Sequence, residues 1–400
     1  MNKQRKCSFW ALAILFVCLL GLTDCAERSV HHEQIVYSAL PSLTFGGNQG
    51  GAASFAGWID ESLMVVGGCN FPHTPAADGG EKVFYRTIFQ LTNPTSPSSS
   101  WQCVGEWPTE IAYGVSVTVP QGVLCIGGTD GQKSLNNVWL LHAEKQKGYA
   151  IDTLPALPIG LDNAAGALYA DAIYVTGGQS NGIPSLRTFR LAWPDGTEWE
   201  ELPAFPGMPR VQPVAIASDS GLYLMGGYAP PKDNSEGALH QDGCVFHAES
   251  NSWSKTEKFR FPDFSFYTLI GAIGALSVDR KYLIFTGGVN ALCFLQAINR
   301  PLQLQQARNA HNDALIARLE KESADYLHHP VSWYRFNNEL IAYDLSTGVW
   351  EKWAQLPQLA RAGAALAVHY NRWYVVNGEC KPGIRSCDVS LLEFPIKDEH

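Results

Sequence analysis

The sequence predicts an all-β chain folded as a six-bladed propeller, and three observations carry that expectation. An apolar strand ending in a glycine pair recurs along the chain. Each recurrence follows a strand of small residues, and several lead into a Trp- or Tyr-bearing strand and a Leu-Pro step. Composition agrees: of 400 residues, 46% are hydrophobic and 17% charged, which supplies a large core and excludes disorder. The 37 glycines, 12 tryptophans and 15 tyrosines favour short strands, tight turns and aromatic packing over helices.

The pairs close SLMVVGG (62–68), GVLCIGG (122–128), AIYVTGG (172–178), GLYLMGG (221–227) and YLIFTGG (282–288), with RWYVVNG (372–378) as a degenerate sixth copy. Their last glycines, Gly68, Gly128, Gly178, Gly227, Gly288 and Gly378, lie 49 to 61 residues apart except for a final interval of 90. Six units with insertions are implied. The preceding strands, such as GAASFAGWI, DNAAGALYA and RAGAALAVH, are small enough for the crowded innermost position of a blade, and WEELPAFPGMPR and WEKWAQLPQLAR supply outer strands. This order resembles the Kelch blade. A four-stranded blade cannot bury both faces alone, so radial stacking supplies the core. IVYSALPSL at 35–43 reads as an outer strand with no partners before it, while 363–394 offers three strands without a fourth. The two segments are expected to complete one blade of a single propeller over 33–396.

The long interval contains RPLQLQQARNAHNDALIARLEKESADYL, in which Leu304, Ala307, His311, Leu315, Leu319 and Tyr326 follow helical spacing. The expectation is a helical insertion over 299–328, in the fifth-to-sixth blade region, emerging on the face where the loops after the glycine pairs lie.

Lys3, Arg5 and Lys6 precede an apolar run from Phe9 to Leu22 that is short for a bilayer span, the pattern of a signal peptide over 1–25. Leu22-Thr23-Asp24-Cys25 resembles a bacterial lipobox, with Cys25 the residue that would carry the lipid. The domain is then expected to be exported, periplasmic or held to a membrane through that lipid only. A net charge of −9, with no basic run after the first six residues, argues against a nucleic-acid partner. Ten cysteines fall to seven beyond Cys25, an odd number that does not fit a disulfide framework. No CxxC or Cys/His cluster has zinc-ligand spacing, so no metal or cofactor is expected. Cys380 and Cys387 flank one short loop and are the pair placed to bridge.

Two kinds of loop share one face of such a propeller, those after the glycine pairs and those leading into each innermost strand. The first kind contributes NFPHTP (70–75) and NGECKPGIRS (377–386); the second contributes Tyr113, Asp162, Asn163, Arg210 and Arg361. The loop 377–386 is chemically dense, presenting Glu379, Lys381 and Arg385 around a Pro382-Gly383 turn, and it has Asn-Gly where the other blades have Gly-Gly. On its residues alone, it reads either as a site or as a solvated turn with an internal ion pair.

The motif N-G-E-x-K-P-G-x-R, complete at 377–385, and the run from TGGVN (286–290) through the insertion and FNNxLIAYDLSTGVW resemble the bacterial sialic acid mutarotases, the N-acetylneuraminate epimerase family. LPAFPGMPR (202–210) and TEIAYGVSV (109–117) are also similar to family segments. The glutamate-bearing blade stands last here, as in a cyclically permuted branch, so loops such as 70–83 need not match residue by residue. The resemblance implies interconversion of the anomers of N-acetylneuraminate by ring opening and closure. A base takes the anomeric hydroxyl proton while an acid protonates the ring oxygen, and reclosure reverses both. Glu379 is the expected base, and Arg385 offers the planar fork that matches a sugar carboxylate. Lys381 either adds charge at the substrate or steadies the turn. Arg210 and Arg361 either reach the ligand or tie loops to neighbouring blades, and Tyr113, Asn163 and His73 are placed to hydrogen-bond sugar hydroxyls. The rival reading is a noncatalytic exported propeller that binds glycan or protein through the same mouth.

Overall fold

The computed structural model describes residues 35–46, 49–145, 148–259 and 267–396. The expected signal peptide and Cys25 lie outside the described residues. Within them the chain forms six four-stranded antiparallel sheets arranged as a propeller. The innermost strands are Phe55–Ile59, Val115–Val119, Ala165–Tyr169, Val214–Ser218, Ala272–Leu276 and Ala365–His369, defining blades 1 to 6 in chain order.

Blade 6 is built from both ends of the described chain. Val36–Leu40 pairs antiparallel with Val389–Glu393, Ser38 standing opposite Leu391, and so forms its outermost strand. The following segment continues this closure. Leu43 N–H donates to Cys387 O at 2.9 Å, and Gly50 is packed so tightly that a Cβ there would lie 1.6 Å from Ser386 O. The cores lie mainly between blades. Leu43, Trp58 and Leu63 from the early chain share one cluster with Ala367, Tyr374 and Leu391.

The repeated Trp and Leu-Pro signals have one physical cause. Trp101 Nε1 donates to Pro41 O at 2.8 Å, Trp199 Nε1 to Pro155 O at 2.7 Å, and Trp253 Nε1 to Pro203 O at 2.9 Å. Each indole thus satisfies a carbonyl of the preceding blade's Leu-Pro segment while its rings fill the seam between them.

Around the channel mouth, the residues leading into the six innermost strands form a second repeat. Ala53, Tyr113, Asn163, Gln212, Gly271 and Gly363 all have left-handed backbone, with φ between 51° and 64°. Tyr113 N–H donates to Ala53 O at 2.9 Å, Asn163 to Tyr113 at 2.8 Å, and Gln212 to Asn163 at 2.9 Å. Gly363 N–H donates to Gly271 O and Ala53 N–H to Gly363 O, each at 2.8 Å.

The insertion differs from the expected single stretch. It comprises helices Ala291–Asn309 and Asp313–Tyr326 and a short turn of helix at Val331–Tyr334. The first helix begins earlier than the periodicity implied because Asn290 caps it, its side chain accepting from Leu292 N and Cys293 N. His311, read as part of a helical face, instead sits exposed in the connecting turn with φ 49°, and Asn312 caps the second helix. Cys380 and Cys387 are free thiols.

Replacing Gly50 with alanine should force the closing segment off blade 6. Overpacking of this kind costs about 1–3 kcal/mol, so thermal unfolding of Gly50→Ala should show a clearly lower midpoint. An unchanged midpoint would mean that this contact does not hold the closure.

Candidate active site

Immediately after the five glycine pairs and the Asn-Gly of blade 6 stand Cys69, Thr129, Gln179, Tyr228, Val289 and Glu379, of which Val289 and Glu379 line the cavity described below. Five of them bridge to the residue before the left-handed position, Ala362 pairing with Glu379 in blade 6. Glu379 is the one acid among the six. Its strand, Glu379–Lys381, forms a two-stranded hairpin with Ile384–Arg385, and Glu379 stands opposite Arg385. The Asn-Gly irregularity supports this loop. Asn377 takes a left-handed φ of 52°, which asparagine tolerates, and its Nδ2 donates to Leu43 O at 2.9 Å and Ser386 O at 3.0 Å. The first described segment thereby braces the hairpin.

Both donors that hold Glu379 converge on one oxygen. Gly383 N–H donates to Oε1 at 2.8 Å from the tight turn, where φ is 86°, and Arg385 Nη1 forms an ion pair with the same Oε1. The pair is lopsided in exposure, Arg385 being 2% exposed at its side chain and Glu379 27%. Burial alone would lower the Arg385 guanidinium, but Glu379, with Tyr113 and Cys69 beside it, together outweigh burial and raise the group, so it stays charged. Arg385 also lies 5.7 Å from the Phe71 ring centroid.

Glu379 lines a cavity of about 430 Å³ at the top of the channel. The left-handed residues Ala53, Tyr113, Asn163, Gln212, Gly271 and Gly363 form its floor, and the insertion contributes Cys293, Phe294, Ala297 and Ile298 from the first helix with Tyr326, Tyr334 and Phe336 beyond it. The first helix is docked on blade 4, where Asn299 Oδ1 accepts from Gly237 N at 2.7 Å and Phe294 meets Tyr228 edge-on at 4.9 Å. Burial pushes the Tyr326 phenol up, and burial with Cys69 and Glu379 nearby pushes Tyr113 well above its ordinary value despite Arg385. Both are therefore neutral O–H donors at neutral pH.

Of the residues singled out from sequence, Glu379, Tyr113 and Asn163 line this cavity. Arg385 is brought to Glu379 rather than to the cavity wall. Lys381 turns to the insertion, donating from Nζ to Leu327 O at 3.0 Å and His329 O at 2.7 Å. Arg210 is buried and ties blade 3 to blade 4 through Gly226 O, Asp242 O and the Asp242 carboxylate. Arg361 likewise reaches Asp388 O and Ser390 Oγ in blade 6. His73 is exposed and off the cavity wall. Sequence reasoning missed Gln212 and the first helix's inner face. The spacing of Asn290, Cys293, Phe294, Ala297 and Ile298 is a helical stripe, but it lies against the strand run YLIFTGG and begins before the polar stretch that drew notice.

A propeller whose mouth carries one arginine-held carboxylate under a helical cover defines a small-ligand protein with acid–base capability. The family model described as N-acetylneuraminate epimerase matches residues 154–399, and the chain belongs to that family. That stretch contains blades 3 to 5, the insertion, and three strands of blade 6, with Glu379 and Arg385. The chain is 32% identical over 247 residues to N-acetylneuraminate epimerase of Haemophilus influenzae (strain 86-028NP), covering 61% of this chain and 60% of that protein. It is 33% identical over 240 residues to the Pasteurella multocida (strain Pm70) N-acetylneuraminate epimerase, covering 59% and 58%. The matches thus span about 60% of the length of these curated relatives. The solved structure of YjhT superposes with a TM-score of 0.51 at 25% identity, covering 61% of this chain and 66% of that one.

Lys381 tethers the insertion to the hairpin that carries Glu379. Lys381→Met should speed amide hydrogen exchange across 327–334 while leaving the innermost strands of the blades as protected as before. Equal protection across 327–334 in both proteins would show that the tether is dispensable.

Proposed function

We propose that this protein interconverts the anomers of N-acetylneuraminate. The observation that carries the reading is Glu379: the single acid in the ring of residues after the glycine pairs, fixed through Oε1 and lining a covered cavity wide enough for one sugar. The family of the chain and the names of its relatives support the substrate class.

Glu379 Oε2 takes the proton of the anomeric hydroxyl as the bond from the anomeric carbon to the ring oxygen breaks, and the ring oxygen is protonated in the same event. Tyr326 is the wall phenol suited to donate there, because Tyr334 already spends its hydroxyl on Tyr326 O. The products of this step are an open-chain keto acid, a protonated Glu379 and the Tyr326 phenolate. After rotation presents the other carbonyl face, the sugar hydroxyl attacks, the new anomeric oxygen recovers the proton from Glu379, and Tyr326 regains its own. Arg385 acts as a positioning residue, holding Oε1 so that Oε2 keeps its aim. The aromatic cover limits water around the reacting atoms.

Glu379→Gln keeps the shape and polarity of the side chain but cannot accept the proton. Anomer exchange of N-acetylneuraminate, followed by NMR, should slow by about 10²–10⁴-fold, with ligand affinity largely retained. Exchange at the parent rate by a folded Glu379→Gln protein would refute the assignment. Sugar binding without any acceleration by the parent would leave a glycan-binding propeller as the better reading. Arg385→Lys should lower kcat more than it raises KM, since a lysine keeps the charge but not the fork that fixes Oε1.

A further inference from the structure

The substrate class proposed above carries a carboxylate beside its anomeric carbon, yet the one guanidinium near the base is committed to it. Glu379 is the only charged residue on the cavity wall, and its charge is balanced by Arg385. Beside the cavity runs a shallower groove that shares Tyr113, Asn163 and Gln212 with it as common wall. The charged residues lining this groove are Lys82, Lys133 and Asp162. Asp162 is buried and its oxygens are occupied by Ser134 Oγ, Asn163 Nδ2 and Gln179 Nε2. Lys82 ends the loop that leads into the short strand Val83–Phe84, and no carboxylate among the described residues pairs with it. Its Nζ lies 5.3 Å from the ring centroid of Tyr113 and 5.9 Å from that of Phe71, the ring that also carries Arg385. It donates to the Tyr113 hydroxyl oxygen at 3.3 Å, and Cys69 Sγ donates to the same oxygen at 3.5 Å. With its oxygen accepting twice, Tyr113 keeps its own proton for a further partner. The left-handed backbone at Tyr113, φ 59°, is costly for an aromatic residue and sets the side chain at the boundary between cavity and groove.

We propose that Lys82, together with the hydroxyl of Tyr113, binds the substrate's carboxylate and so selects acidic sugars. The inference rests on the reading of the site as acting on N-acetylneuraminate. Lys82 supplies the charge, Tyr113 the directed donor, and Glu379 remains free to act on the anomeric hydroxyl next to that carboxylate.

The test compares binding of N-acetylneuraminate and of its methyl ester, by titration calorimetry, to the parent protein, Lys82→Met, Lys82→Arg, Tyr113→Phe and the groove control Lys133→Met. Anomer exchange is followed by NMR on the same samples. Lys82→Met should weaken binding of the acid by about tenfold or more, the scale of a lost charge-assisted hydrogen bond, and leave the ester unchanged. Lys82→Arg should restore much of the loss, Tyr113→Phe should weaken the acid more than the ester, and Lys133→Met should have little effect. Equal affinity of parent and Lys82→Met for the acid overturns the proposal, as does an equal loss for acid and ester. A matching loss in Lys133→Met would replace it with unspecific attraction by the groove. Parent protein that binds the acid through Lys82 without exchanging anomers sinks the proposed reaction and leaves this site standing; failure of the parent to bind the acid sinks both.

Discussion

Backbone hydrogen bonds run from blade to blade around the channel mouth, each donated by a residue held in the left-handed region. This necklace sets the geometry of everything above it. It fixes where each innermost strand begins, and through bridges such as Ala362 to Glu379 it fixes the residue that follows the glycine step in five of the six blades. Because the linkage uses main chain only, the side chains at its six positions are free to serve the cavity. Blades 5 and 6 contribute Gly271 and Gly363 and blade 1 contributes Ala53, which leaves room beside Glu379. Blades 2 to 4 contribute Tyr113, Asn163 and Gln212, an uninterrupted polar arc. Gln212 Nε2 donates to Asn163 Oδ1, and Asn163 Nδ2 to the buried Asp162, so the arc is anchored at one end by a carboxylate it does not expose.

On this platform a site is assembled from distant parts of the chain. The cavity's carboxylate comes from blade 6, its brace from the segment around Leu43, the cover from blade 5, and the aromatic contact to its arginine from the loop after the first glycine pair. The two arginines that end Leu-Pro segments, Arg210 and Arg361, act one layer below. Each satisfies backbone carbonyls of the next blade from a buried position, so their charge secures the scaffold. The propeller's repeated features serve closure, and its exceptions serve chemistry: the acid at 379, the asparagine at 377 and the helices in place of a short loop.

Much of this was legible in the sequence because repetition is itself a physical signal. Five glycine pairs and one Asn-Gly copy, each after a strand of small residues, count the blades, and an outer strand without partners at one end calls for a blade without an outer strand at the other. The density of Glu379, Lys381 and Arg385 around one turn marked the loop that the structure places on the cavity wall through Glu379 and Pro382. Side-chain direction was not legible. In a hairpin of this length, Glu379 and Arg385 face each other across the ladder, and their mutual attraction turns the guanidinium away from the cavity. Lys381 could be placed on the hairpin but not seen to reach backbone carbonyls more than fifty residues earlier. The cavity's helical wall escaped notice because Cys293, Phe294, Ala297 and Ile298 are apolar and continue a strand-like run, so periodicity over a short window does not separate the two.

The lysine that reaches from the base's hairpin to the insertion has a consequence for timing. Leu327 and His329 are held by the residue two places after Glu379, so the insertion cannot move off the cavity without letting go of that strand or dragging it along. On the proposed function, entry and exit of a sugar would then disarm the carboxylate, and resealing would rearm it. A sugar that fails to let the insertion settle back would meet a base that is out of register, and turnover would be governed by the latch as much as by the proton.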